Sequence, residues 1–186
     1  MSKLYNSVII TGLKHCGKSS TAALLSSYFS VPFFDTDDEA EQIYYDENRE
    51  NLNSREIYRR NGRTVFEDYE LKAAVKIKDR ADKSSIIAAA GGGICDNIEA
   101  IAVLRNSFMF IYIKEEADIL YERIIRKGIP AFLSKTSPYK DFLDLYKKRS
   151  TIYDKLCNIC IKAEGRSTRQ IGDEIIEKLM EEGHAR

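Results

Sequence analysis

Neither sign of charge is in excess in this chain of 186 residues: 29 Lys and Arg stand against 29 Asp and Glu. Nucleic acids and anionic membranes are bound through a basic excess, so neither is expected as a partner. Any phosphate chemistry must come from charges placed locally. No stretch approaches the ~18 consecutive apolar residues of a membrane span, and the run after Met1-Ser2-Lys3-Leu4 is too short for a signal peptide. A cytoplasmic protein is the expectation. Cysteine is sparse, with four residues, and only Cys157 and Cys160 form a C-x-x-C. No second pair or nearby histidine completes a zinc site, so the two read as small core residues of a strand, with a redox or metal role as the alternative. Proline numbers three. No linker rich in Pro, Gly or Ser and no internal repeat divides the chain. One domain over 1–186 is expected, long enough for a core without metal or disulfide staples. No exposed apolar stripe stands out, and a monomer is expected.

What is present is an alternation of strand and helix patterns. Unbroken apolar runs predict strands at Ser7 to Thr11, Val31 to Asp35, "SSIIAAAGGG", Phe108 to Lys114 and Cys157 to Ala163. Helical spacing fills the intervals, as in "KSSTAALLSSYF", "CDNIEAIAVLRN", "EEADILYERIIRK" and "STRQIGDEIIEKLMEE". Continuous apolar strands between helices imply an α/β fold with a parallel sheet covered on both faces. Ligands of such sheets bind at the carboxyl ends of the strands. Three features fall there: the loop at Gly12, the turn at Asp35 and the triplet at Gly91. Residues 38 to about 82 are charged and helical, enough for a separate helical region. "GIPAFLSKTSPYKD" (Gly128 to Asp141) holds two prolines and reads as a mobile loop between helices.

"TGLKHCGKSS" places a glycine, four residues, a second glycine, then Lys18 and Ser19 between a strand and a helix. Gly12 and Gly17 let backbone N–H groups turn inward as an anion nest at a helix N-terminus. Lys18 would reach the β- and γ-phosphates and Ser19 would offer a hydroxyl to Mg²⁺. Ser20 continues the cradle. The competing reading is a glycine-rich surface turn. His15 occupies a position where glycine is common, and is read as a tolerated variation with contacts inside the loop. Cys16 reads as a loop filler.

In "DTD", Asp35 could hold the Mg²⁺ shell through water. Asp37 could take a proton from, or orient, an acceptor hydroxyl. The plainer alternative is that Asp37 and Asp38 only start a helix, where carboxylates favour the dipole. Three glycines in a row, Gly91, Gly92 and Gly93, are costly for stability, and close approach of a ligand to the backbone is the reading that accounts for them.

Taken together, the G-x-x-x-x-G-K-S loop, "FFDTD", "AAGGG" and the Arg-x-x-x-Tyr of "RSTIY" resemble the shikimate kinase family, in order and spacing over nearly the whole chain. The resemblance implies a single three-layer P-loop kinase domain: a five-stranded parallel sheet flanked by helices, a substrate-binding region at about 38–82 and a lid at about 128–140. It also implies ATP and Mg²⁺ as cofactors and phosphorylation of a small cyclic polyol acid. Under it, Lys18 and Ser19 match the phosphate and Mg²⁺ ligands, Asp35 the metal-shell aspartate and Asp37 the aspartate on the substrate hydroxyls. Gly91, Gly92 and Gly93 match the acceptor-pocket glycines, Arg149 the substrate arginine, and Arg123 or Arg126 an arginine near adenine.

The sequence departs from the family pattern twice. "FEDYE" keeps Phe66 and Glu70 of an F-R-x-x-E motif, but Glu67 stands where an arginine grips the shikimate carboxylate. Ile129 stands where the lid carries an arginine. An arginine–carboxylate pair is worth ~1.5–3 kcal/mol, so such losses alter the acceptor site. Arg63, one turn before Glu67, is placed to pair with it. Arg59, Arg60 and Lys135 are the other nearby cations, and each also reads as a solvated surface charge. Three functions stay open: a shikimate kinase with rearranged arginines, a kinase of the same fold for a less anionic polyol, and a nucleotide-binding protein without this catalysis.

Overall fold

The computed structural model describes residues 2–126, 133–134 and 136–186. The expected strands form one five-stranded, all-parallel sheet, β1 (Val8–Thr11), β2 (Phe33–Asp35), β3 (Ile87–Ala89), β4 (Met109–Lys114) and β5 (Ile159–Lys162), in the order β2-β3-β1-β4-β5. Between and after them run α1 (Lys18–Phe29), α2 (Thr36–Asn48), α3 (Ser54–Ala81), α4 (Ile98–Arg105), α5 (Ala117–Ile125), α6 (Pro138–Leu156) and α7 (Thr168–Glu181).

The two-residue period of a strand sends neighbouring side chains to opposite faces, which is why the central strands are apolar throughout. Val8 and Ile10 of β1 pack with Ile111 and Ile113 of β4 against Leu25 of α1, Leu120 of α5, Tyr153 of α6 and Ile175 of α7. Ile9 and Phe110 face the other way, onto Ala74 and Ile77 of α3 and Ala100 and Leu104 of α4. A third, smaller core of Ala40, Tyr44, Ile57, Tyr69 and Ala73 joins α2 to α3, and so fixes the helical region predicted at about 38–82. Within α3, Gly62 has φ 83° and ψ 178°, and the helix kinks there. Asn53 and Glu56 cap the start of α3 reciprocally.

Strand β5 corrects one expectation. It lies at the sheet edge with alternating burial, Ile159 and Ile161 inward, Cys160 and Lys162 outward. Cys160 is exposed and so is not a core residue, whereas Cys157 ends α6 rather than lying in the strand and packs, half-buried, against the margin of the core. The reason is the edge position: only one set of alternate residues meets the core. Among the described residues no helix is long and apolar enough to cross a membrane. Ile129, Lys135 and the stretch 128–132 of the expected lid at about 128–140 lie outside the described residues. The expected lid's last residues belong to α6, which starts at Pro138.

Candidate active site

The loop after β1 is shaped by three positive φ values, at Gly12 (142°), His15 (67°) and Gly17 (98°). A Cβ on Gly12 would stand 2.6 Å from the carbonyl oxygen of Ile113, so no side chain fits. His15 holds a left-handed conformation without glycine's freedom, a strained position for a residue with a side chain. Gly17 caps α1, whose first residue is Lys18. The Lys18 ammonium is buried and donates to the carbonyl of Leu13 at 3.0 Å, folding back over its own loop. Cys16 is buried, and burial pushes its thiol up, away from reactivity.

The ends of β1, β2 and β3 lie side by side because Ile10 and Asp35 both pair with Ala89. This register brings Ser19 Oγ to within 2.8 Å of Asp35 Oδ2. Asp35 Oδ1 accepts from the backbone N–H of Asp37 at 3.0 Å, capping α2. Gly91 N–H donates to Thr36 Oγ1 at 2.7 Å and ties the turn after β2 to the end of β3. Ser19 and Asp35 thus present paired hard oxygens, the donor type that Mg²⁺ takes, usually keeping several waters.

Of the residues picked from sequence, Gly17, Lys18, Ser19, Ser20, Asp35, Asp37 and Gly92 line one cavity of about 390 Å³, together with Lys14 and His15. Burial, and then the charge of Asp35, raise the Asp37 carboxyl to about 6, against the opposing charges of Lys18 and Lys14. Glu70 is raised further, to about 7, by burial and by the nearby charges of Asp37 and Glu67, although the hydrogen bond from Asn97 Nδ2 at 3.2 Å opposes the shift.

Packing within the protein also requires the glycine triplet. A Cβ on Gly91 would lie 2.2 Å from Asp37 Oδ1, one on Gly92 would lie 3.0 Å from the backbone nitrogen of Lys14, and one on Gly93 would lie 3.1 Å from Arg149 Nη2. Each glycine makes room for a different group of the protein itself. Arg149, on α6, donates through Nη1 to the carbonyl of Gly92 at 3.2 Å, and Tyr153, one turn on, donates to the same oxygen at 3.3 Å. That shared acceptor is what the four-residue spacing of "RSTIY" produces.

Other picked residues are placed differently. Arg123 Nη1 donates to the carbonyl of His15 at 3.0 Å and its Nη2 pairs with buried Glu115 at 3.0 Å, so it braces the phosphate loop from α5. Arg126 caps the exposed end of α5. Glu67 accepts from Arg63 Nε at 2.8 Å, the pairing expected from their spacing. Arg60 pairs with Glu50. No arginine is among the described residues that line the cavity. The sequence reading passed over Asp96, Asn97, Lys14 and Glu115. Lys14 was open to notice inside the loop motif, whereas Asp96 and Glu115 matter through partners far along the chain.

A G-x-x-x-x-G-K-S loop after the first strand of a parallel 2-3-1-4-5 sheet defines a P-loop kinase fold. The family model for shikimate kinase matches residues 14–180, and the chain belongs to that family. It is 26% identical over 178 residues to the shikimate kinase of Aquifex aeolicus, covering 96% of this chain and 97% of that one. The Ruegeria pomeroyi shikimate kinase is 23% identical over 177 residues, covering 95% and 86%. Among solved structures, a shikimate kinase from Acinetobacter baumannii in complex with shikimate superposes with a TM-score of 0.83 at 18% identity, covering 95% of this chain and 94% of that one.

Proposed function

We propose that this chain is an ATP-dependent phosphotransferase acting on a hydroxyl of shikimate. The supporting observation is the placement of Asp37: its half-buried carboxyl shares one cavity with Lys18 and Ser19 of the phosphate loop. In this reading the backbone N–H groups between Gly12 and Gly17 and the ammonium of Lys18 hold the ATP phosphates. Ser19 and Asp35 hold Mg²⁺, which neutralises phosphate charge when bound. Asp37 takes the proton as the acceptor oxygen forms its bond to the γ-phosphorus and the bond to the β-bridging oxygen breaks, releasing ADP. A base poised near neutral pH suits that role. Gly91, Gly92 and Gly93 line the acceptor side, with Arg149 facing the acceptor carboxylate and Arg123 or Arg126 beside the adenine. The molecule acts as a monomer.

A second reading, a less anionic polyol as acceptor, is favoured by the pairing already present: Arg63 is engaged by Glu67, and Arg149 by Asp96. The test is ADP formation by purified protein with ATP and Mg²⁺, comparing shikimate, neutral polyols and no acceptor. Shikimate-dependent turnover that survives Glu67→Ala and is lost in Lys18→Ala supports the first reading. Turnover only with an uncharged acceptor selects the second. Nucleotide binding without turnover on any acceptor would leave a binding protein.

A further inference from the structure

Beside the glycine triplet, the protein supplies its own anion to the arginine expected to meet the acceptor. Asp96 lies in the short 3-10 turn Ile94–Asp96, immediately after the triplet. Its Oδ2 accepts from Arg149 Nε at 3.0 Å and from Arg149 Nη2 at 2.9 Å. Its Oδ1 stands 2.8 Å from Lys148 Nζ. The Arg149 and Asp96 side chains are only 22% and 14% exposed, so this pair is poorly screened by solvent, whereas Lys148 is 58% exposed. We propose that Asp96 sets the acceptor selectivity of this site by competing with an acceptor's carboxylate for the guanidinium of Arg149. The proposal rests on the reading above that Arg149 faces the acceptor.

The geometry of the guanidinium carries the argument. A carboxylate is gripped best by two parallel N–H groups of one guanidinium edge. The edge made by Nε and Nη2 is taken by Asp96, and Nη1 donates to the carbonyl of Gly92. An incoming carboxylate must displace Asp96 from that edge or bind at the Nη1–Nη2 end beside a fixed negative charge. Lys148 gives Asp96 a second cation, so that it can yield Arg149 without being stranded in a partly buried position. A neutral acceptor meets no such competitor. Asp96 therefore acts through Arg149, as a positioning residue that lowers affinity for acids relative to neutral analogues.

The test is steady-state kinetics of Asp96→Asn with two acceptors that share their ring hydroxyls, shikimate and its methyl ester. Asparagine keeps the shape and an oxygen for Arg149 but removes the competing charge. We expect the KM for shikimate to fall about tenfold, that for the ester to stay within about twofold, and kcat for both to stay within about threefold. The gain should vanish in the double variant with Arg149→Met. An unchanged or raised KM for shikimate, or equal gains for both acceptors, overturns the proposal. If Asp96→Asn does not fold, Lys148→Met provides the second readout: leaving Asp96 to Arg149 alone should raise the shikimate KM and spare the ester, and no difference between acceptors overturns the idea. If wild type turns over neither acceptor, the shikimate kinase reading fails by itself. Calorimetric titration of shikimate in the presence of ADP then decides: tighter binding to Asp96→Asn than to wild type supports the competition, and equal or absent binding in both overturns it.

Discussion

Replacing Glu70 with glutamine should make the stability of this protein less dependent on pH, by an amount the structure sets. Glu70 is 5% exposed on α3, with Asn97 as its hydrogen-bond donor and the carboxylates of Asp37 and Glu67 close enough to repel it. Its carboxyl is raised to about 7 in the folded protein, against an ordinary value near 4.5. A carboxyl raised on folding favours the folded state while it is protonated. That contribution is complete below the unfolded value and is lost as pH rises through the folded value. With these two values, the loss between pH 5 and pH 8 is about 2.5 kcal/mol. Glutamine keeps the oxygen that Asn97 donates to and cannot ionise. Urea unfolding of wild type and Glu70→Gln at pH 5, 6, 7 and 8 measures the difference directly. The variant should gain on wild type by about 2–3 kcal/mol across that range, nearly all of it between pH 5 and pH 7. Parallel stability curves would show that Glu70 ionises in the folded protein as readily as in water, and the burial argument would be wrong.

Three further predictions follow from the site and the sheet edge. Gly91→Ala puts a methyl group 2.2 Å from Asp37 Oδ1, so Asp37 must move by about 1 Å; overpacking of this kind costs about 1–3 kcal/mol, and kcat should fall at least tenfold while ADP affinity by calorimetry is kept. If Asp37 is the base, the rate should fall as pH drops through about 6, where a proton occupies it. In Asp37→Asn the rate should fall roughly a hundredfold and the pH step disappear; a step that persists in the variant belongs to another group. Cys160→Ser, at an exposed edge position, should change unfolding free energy by less than about 0.5 kcal/mol, and a loss above about 1.5 kcal/mol would restore a core role.

The strands that pack on both faces were legible because burial on both sides demands unbroken apolar sequence. β1 and β4 were read within a residue of their observed starts for that reason. β5 was legible as a strand but not as an edge: "ICIK" counts as apolar only if cysteine is taken to point inward, and Cys160 points out. The phosphate loop and the acidic turn were legible because local geometry fixes both. Asp35 caps α2 two residues before Asp37, and Gly17 precedes Lys18 at a helix start. Arg63 and Glu67 were legible as a pair through helical spacing alone. The pairs that cross the fold were not. Arg149 and Asp96 are 53 positions apart, and nothing in either segment announces the other.

By itself the sequence determined the sheet, the phosphate loop and membership of the family's pattern, since these depend on periodicity and on residue types at short spacing. Only the tertiary structure decided what the glycine triplet is for and which charges are free. Gly91, Gly92 and Gly93 each face a group from a different segment, the side chain of Asp37, the backbone of Lys14 and the guanidinium of Arg149. The balance of charge beside them follows from strand register and helix packing, which bring distant carboxylates within hydrogen-bond reach of the cations. A chain with equal numbers of acids and bases leaves that outcome open. The fold settles it by pairing Arg149 with Asp96 and Arg63 with Glu67.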